Sequence, residues 1–254
     1  MDLQMPVMDG YTAVEEMKKI EQAIGSWKNA GPIAKPALPA ATQHASRQIY
    51  LVDKPGAAQS AIRIGWIGVA RSTPDYFVLD VMNTILGGSF TSRLNMNLRE
   101  DKGYAYGASS AFDMRGAPGP FFATANVQTD KTMESLREFF KELDGMRQPV
   151  PASELQRARN LEALSFPGAF ETTSGMAGNL SELAVYGLPE SFFSEYVPKI
   201  QAVTAADIER AAKQYLQSDK FAVIVVGDLS KIEKPIRDAN FGPVKIVTLD
   251  EILK

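Results

Sequence analysis

An α+β domain, one sheet with helices packed on a single face, is the fold class this sequence predicts. Three observations predict it. Along the chain come strands, a helix pair, a hairpin, several helices and a final buried strand, an order that suits one sheet backed by helices. The chain has 254 residues and is 45% apolar, enough to bury one substantial core plus an appendage. No repeat of solenoid period is present, nor any G-x-G-x-x-G after a strand, Walker loop or G-x-S-x-G.

Residues 1–47 read as the appendage, and 48–254 as the domain. Ala13–Ile20 is helical in pattern, with Val14, Met17 and Ile20 in a narrow apolar stripe. In Gly31–Ala40 three prolines oppose regular helix and favour an extended linker. The opening, Asp2-Leu3-Gln4-Met5-Pro6-Val7-Met8-Asp9-Gly10, resembles the phosphorylation loop of response-regulator receiver domains. That resemblance implies Asp2 as the phospho-accepting residue. Lys35-Pro36 follows too soon to be the receiver's Lys-Pro pair. One loop and one helix cannot bury a core, so the segment is expected to be a fusion, truncation or assembly remnant without phosphotransfer. Signalling through Asp2 is the reading set against that.

From residue 48 each element has its own signal. Gln48–Asp53 is a strand stopped by Lys54-Pro55-Gly56. Ser60–Ala70 is a second, in which Ile62, Ile64, Trp66 and Ile67 mix alternation with a buried run. Pro74 opens a helix carrying Phe77, Val78, Val81, Met82 and Ile85 at steps of three and four. Gly87-Gly88 ends it. Ser89–Asp101 is expected as a further helix with Phe90, Leu94 and Leu98 on one face. Tyr104–Asp113 and Pro120–Gln128 form a hairpin around Arg115–Gly119. Helices are then expected over Lys131–Met146, Ala152–Leu164, Thr172–Tyr186, Ser191–Gln201 and Ala205–Gln217, the last opening on the capping-box-like Thr204-Ala205-Ala206-Asp207. Phe221–Val226 is a buried strand, and Val244–Leu249 a last strand or a tail.

Composition narrows the chemistry. A net charge of −3 with scattered Lys and Arg offers no field for nucleic acid. No run approaches the about 18 apolar residues of a transmembrane helix, and the acidic start lacks the plan of a signal peptide. Without cysteine there is no disulfide or thiolate site, which suits bacterial cytoplasm and periplasm equally. His44 is the sole histidine, whereas a catalytic zinc takes two or three. No metal site or cofactor is therefore expected in this chain. His44 itself reads as a solvated linker residue. Glu171 and Glu182 read as one structural face, and Phe192, Phe193 and Tyr196 as a core stripe. Trp66 reads as core or domain interface.

What remains is a cation and a phenol seven residues apart, Arg99 and Tyr106, across a helix end and a turn. Gly87, Gly88, Gly103 and Gly107 flank them, and glycine permits positive φ and close approach of another backbone. The bland reading is a helix-end arginine complementing the dipole and a strand tyrosine at the core rim. The sharper one has guanidinium and phenol converge on a peptide carbonyl and stabilise its developing negative charge.

The run Val81-Met82-Asn83-Thr84-Ile85-Leu86-Gly87-Gly88 through Tyr104-Ala105-Tyr106-Gly107-Ala108-Ser109-Ser110 resembles the pitrilysin/insulinase zinc peptidases, which include mitochondrial processing peptidase. Tyr50–Ser60, Phe170-Glu171-Thr172 and Val225-Val226-Gly227-Asp228 support the likeness, which covers about residues 48–250. It implies a two-layer, processing-peptidase-like α+β domain with a mostly antiparallel or mixed sheet. In such enzymes one domain carries His-x-x-Glu-His and a distant Glu, and a later one carries an Arg and Tyr pair. Arg99 and Tyr106 match that pair; Tyr104, Gly87 and Gly88 are implied as substrate-binding. His-x-x-Glu-His is absent from this sequence. The resemblance thus implies an accessory domain, inactive alone, acting on a peptide substrate with a zinc-bearing domain or subunit as partner. The alternative is a non-catalytic assembly subunit, like the core subunits of the cytochrome bc complex.

Overall fold

The computed structural model describes residues 10–26, 31 and 42–252. Asp2 and the Lys35-Pro36 pair lie outside these, as does the side chain of Trp66. The chain divides into two units, residues 1–40 and 41–254. In the first, helix α1 (Gly10–Ile24) carries Val14, Met17, Ile20 and Ile24, all exposed.

The second unit holds one mixed sheet in the order β3-β4-β2-β5-β1-β6. Its strands are β1 (Gln48–Asp53), β2 (Gln59–Ile67), β3 (Ala105–Phe112), β4 (Pro120–Gln128), β5 (Ala222–Gly227) and β6 (Val244–Ile246). Strand β1 runs parallel to β5 and β6; the remaining pairings, β2 with β4 and β5 and β3 with β4, are antiparallel. Every second side chain turns to the helical layer, so Ile62 and Ile64 meet Phe121, Ala123, Val223 and Val225 in the core. Ile224, one residue out of phase, is exposed.

The helical layer comprises α2 (Tyr76–Leu86), α3 (Arg93–Asn95), α4 (Thr132–Gly145), α5 (Ala152–Ser165), α6 (Thr173–Tyr186), α7 (Phe192–Ala202), α8 (Ala205–Tyr215) and α9 (Leu229–Asp238), with a last turn, α10, at Leu249–Ile252. The capping box before α8 forms: Asp207 N donates to Thr204 Oγ1, and Thr204 N to Asp207 Oδ2.

Three expectations need correction. Ser89–Asp101 is not one helix: Ser92 is extended (ψ 157°), so α3 starts only at Arg93 and widens into a π-helical turn over Met96–Asp101. The second strand stops at Ile67: Gly68 N still donates to the Gly119 carbonyl, but Gly119 N donates to the Val69 carbonyl, so two residues face one and the regular ladder ends there. Helix α9 went unread. Its buried stripe is only Ile232 and Ile236, Pro235 interrupts it, and its start is an Asp228 cap accepting from Ser230 N.

Candidate functional site

The loop from α2 to β3 is built by close backbone contact. Gly87 N and Gly88 N both donate to the Asn83 carbonyl, at 2.8 and 2.7 Å. Gly87 O then accepts from Ser110 N at 3.1 Å. A Cβ on Gly87 would collide with Ser110 N and stand 2.8 Å from the Ser109 carbonyl carbon. One on Gly88 would lie 2.7 Å from Asn83 Nδ2. The backbone that approaches Gly87 is therefore the chain's own β3.

Strand β3 is an edge strand, and its pairing with β4 slips between Ala105 and Ala108. The slip leaves Tyr106 and Gly107 out of register, a β-bulge of the kind that re-aims a side chain. Tyr106 is 88% exposed. The bulge is braced from behind. Buried Asn95 accepts from Ala108 N at 3.2 Å and donates to the Phe90 carbonyl at 2.7 Å. With Ala108 N held by Asn95 and Ser110 N by Gly87, the outer edge of β3 is closed to a further strand at these two positions.

Arg99 sits on the π-helical turn, whose wider i→i−5 closure is seen in Lys102 N donating to Asn97 O at 3.0 Å. Its guanidinium lies 4.8 Å from the centre of the Phe90 ring and pairs with Glu100 at 3.0 Å. Buried Asn97 ties this turn to α4, donating to Glu138 at 2.8 Å and Glu142 at 2.6 Å. At Gly103 the chain adopts φ +64°, which glycine tolerates best. Tyr104 N then returns to the Leu98 carbonyl at 2.8 Å.

A shallow cleft of about 320 Å³ is lined by Gln59, Gly103, Tyr104, Ala105, Tyr106 and Gln128. Of the site residues read from the sequence, the cleft gathers Tyr104 and Tyr106. Tyr104 also packs against the core, while Arg99 stands on the adjoining turn and is not among the lining residues. Gly87 and Gly88 lie in the α2–β3 contact instead. Sequence reading missed Asn95, Asn97 and Gln128. The signal available was two asparagines beside Leu94 and Leu98 on the buried face, where an unpaired amide would be costly.

A second polar cluster joins three helices. Tyr196 of α7 donates to Asp80 Oδ2 of α2 at 2.7 Å and stands 3.4 Å from Glu162 Oε2 of α5. Thr84 donates to the other Glu162 oxygen. Burial, and next the Glu162 charge, push Asp80 up to about 6. Among the described residues no group of three His, Cys, Asp or Glu could hold a metal ion. His44 is exposed beside Tyr50. The side chains described thus do not fit a zinc site.

The family model described as peptidase M16 inactive domain matches residues 10–162. The chain is 24% identical over 211 residues to an uncharacterized zinc protease of Streptomyces coelicolor, covering 80% of this chain and 46% of that protein. It is 25% identical over 210 residues to one of Bacillus subtilis, covering 80% and 49%. A crystal structure of a peptidase M16 inactive domain from Pseudomonas fluorescens superposes with a TM-score of 0.74 at 24% identity, over 85% of this chain and 51% of that one. A protease from Helicobacter pylori gives 0.76 at 18% identity, over 85% and 52%. The chain spans about half the length of these relatives.

Proposed function

The chain belongs to the peptidase M16 inactive-domain family, and from that premise we propose that it is the carbonyl-gripping half of a divided peptidase site. The observation carrying this reading is Tyr106, a phenol 88% exposed yet mounted on a braced bulge next to the turn that bears Arg99. A large exposed aromatic contributes nothing to the core of its own domain. Mounted on a braced stretch of backbone, its O–H is free to donate to an acceptor arriving from outside.

In this reading a zinc-bearing domain or subunit of the same family supplies metal and general base. Arg99 and Tyr106 donate to the scissile carbonyl oxygen as negative charge builds on it, while Gly103, Tyr104 and Gln128 shape the cleft beside the peptide. Glu100 must yield Arg99 for this to happen. Their contact is about half exposed, so the exchange is inexpensive.

The test is peptide hydrolysis by a complex of this chain with its zinc-bearing partner. Losing one such donor is expected to slow turnover by about 10²–10³, for Tyr106→Phe and Arg99→Ala alike. Turnover unaffected by both substitutions would overturn the reading. It would favour a non-catalytic assembly subunit, for which the Arg99–Glu100 pair is a finished surface contact.

A further inference from the structure

Helix α6 has no buried residue, and from Leu161 to Glu190 no residue is buried. One side of α6 does hold to the body of the domain. Glu182 pairs with buried Arg71 at 2.8 Å, Tyr186 donates to the Met114 carbonyl at 3.5 Å, and Leu183 packs on the core. The opposite side is unusual for a solvent-facing helix. Met176, Leu180 and Ala184 follow one another at i, i+4 and i+8, with Ala177 and Val185 flanking them. Met176, Leu180 and Val185 are 50%, 60% and 73% exposed. Glu182 is the one Asp, Glu, Lys or Arg in the helix, and it faces inward.

An apolar stripe without charge is the signature of a covered surface.

We propose that the outer face of α6 is the docking surface for the zinc-bearing family domain, an inference that rests on the function proposed above. Two observations choose this occupant. The relatives carry about as much chain again as this one, which is a second body of similar size. The face has no Lys or Arg for an anionic lipid surface and no charge for a charged peptide. Position agrees as well. α6 touches Met114, beyond the far end of β3 from Tyr106. The eight residues of β3 separate the two by about 25 Å. A body of about 200 residues has a radius of gyration of about 16 Å, so it can rest on α6 and still reach Tyr106 without covering it.

The experiment measures affinity of the full chain for the cognate His-x-x-Glu-His domain, with hydroxyl-radical footprinting at Met176. Leu180→Glu is expected to weaken the complex by at least about 30-fold, and the complex to shield Met176. Gly178→Ala, one turn before Glu182 and off the Met176–Leu180 row, is expected to raise the melting temperature of the chain alone and leave the complex unchanged, which separates loss of docking from a change in folding. Tyr106→Phe should bind normally and turn over slowly. A complex indifferent to Leu180→Glu overturns the docking surface and leaves the proposed function standing. Shielding of Met176 in the chain alone, or self-association through α6, also overturns it. Absence of any complex or hydrolysis overturns both.

Discussion

Asn95→Ala is the most searching perturbation of the site, because Asn95 touches the bulge rather than any substrate. Its side chain is buried and makes two hydrogen bonds, to Ala108 N and the Phe90 carbonyl. The first partner has no ladder mate on that edge; the second belongs to a residue whose side chain is exposed. Leaving a buried group unsatisfied costs about 1–3 kcal/mol, and Phe90 can recover part of its share from water. The sum is about 2–4 kcal/mol, which for a domain of this size lowers Tm by roughly 4–16 °C. Circular dichroism on the purified chain measures it. Because the same bond holds the bulge, turnover by the zinc-bearing complex should fall by about 10² or more, as for a displaced donor. Asn95→Asp keeps an acceptor for Ala108 N but sets a buried carboxylate against the Phe90 carbonyl, so it should not rescue the loss at neutral pH. A Tm change below about 2 °C, or full turnover in a chain clearly destabilised, would refute the claim that Asn95 positions Tyr106.

Other predictions follow the same logic. Gly87→Ala drives a methyl group into β3 at Ser109 and Ser110, so it should destabilise by about 1–3 kcal/mol in urea unfolding, whereas Tyr106→Phe should change stability by less than about 0.5 kcal/mol. Asp80, raised from 3.8 to about 6 beside Glu162, Tyr196, Arg71 and Glu182, is bound to its proton more tightly in the folded chain than in the unfolded one. The folded chain is therefore expected to lose stability as pH climbs from about 4 through about 6. The loss is at most about 3 kcal/mol. Asp80→Asn keeps an acceptor for Tyr196 and should flatten this fall, gaining stability at pH 7 and none at pH 3; denaturant midpoints across pH decide it.

Much of the fold was legible because local patterns report which face is buried. The spacing of Phe77, Val81, Met82 and Ile85 marks α2, and the alternation through Phe121, Ala123, Ala125 and Val127 marks β4. Helix α9 hid because a two-residue stripe with an internal proline carries little periodic signal. The Ser89–Ser92 turn hid because Phe90, Leu94 and Leu98 keep helical spacing although the first of them is exposed.

The sequence by itself determined the sheet with its helical backing, the Arg99 and Tyr106 spacing, and a single histidine with no cysteine, since each is a matter of residue type and short-range period. Only the tertiary structure decided that β3 slips beside Tyr106, that Asn95 closes the bulge from thirteen residues away, and that one face of α6 lies bare. Those outcomes depend on which backbone donor meets which distant side chain. Periodicity reports burial along one element and is silent about the partners that burial brings together.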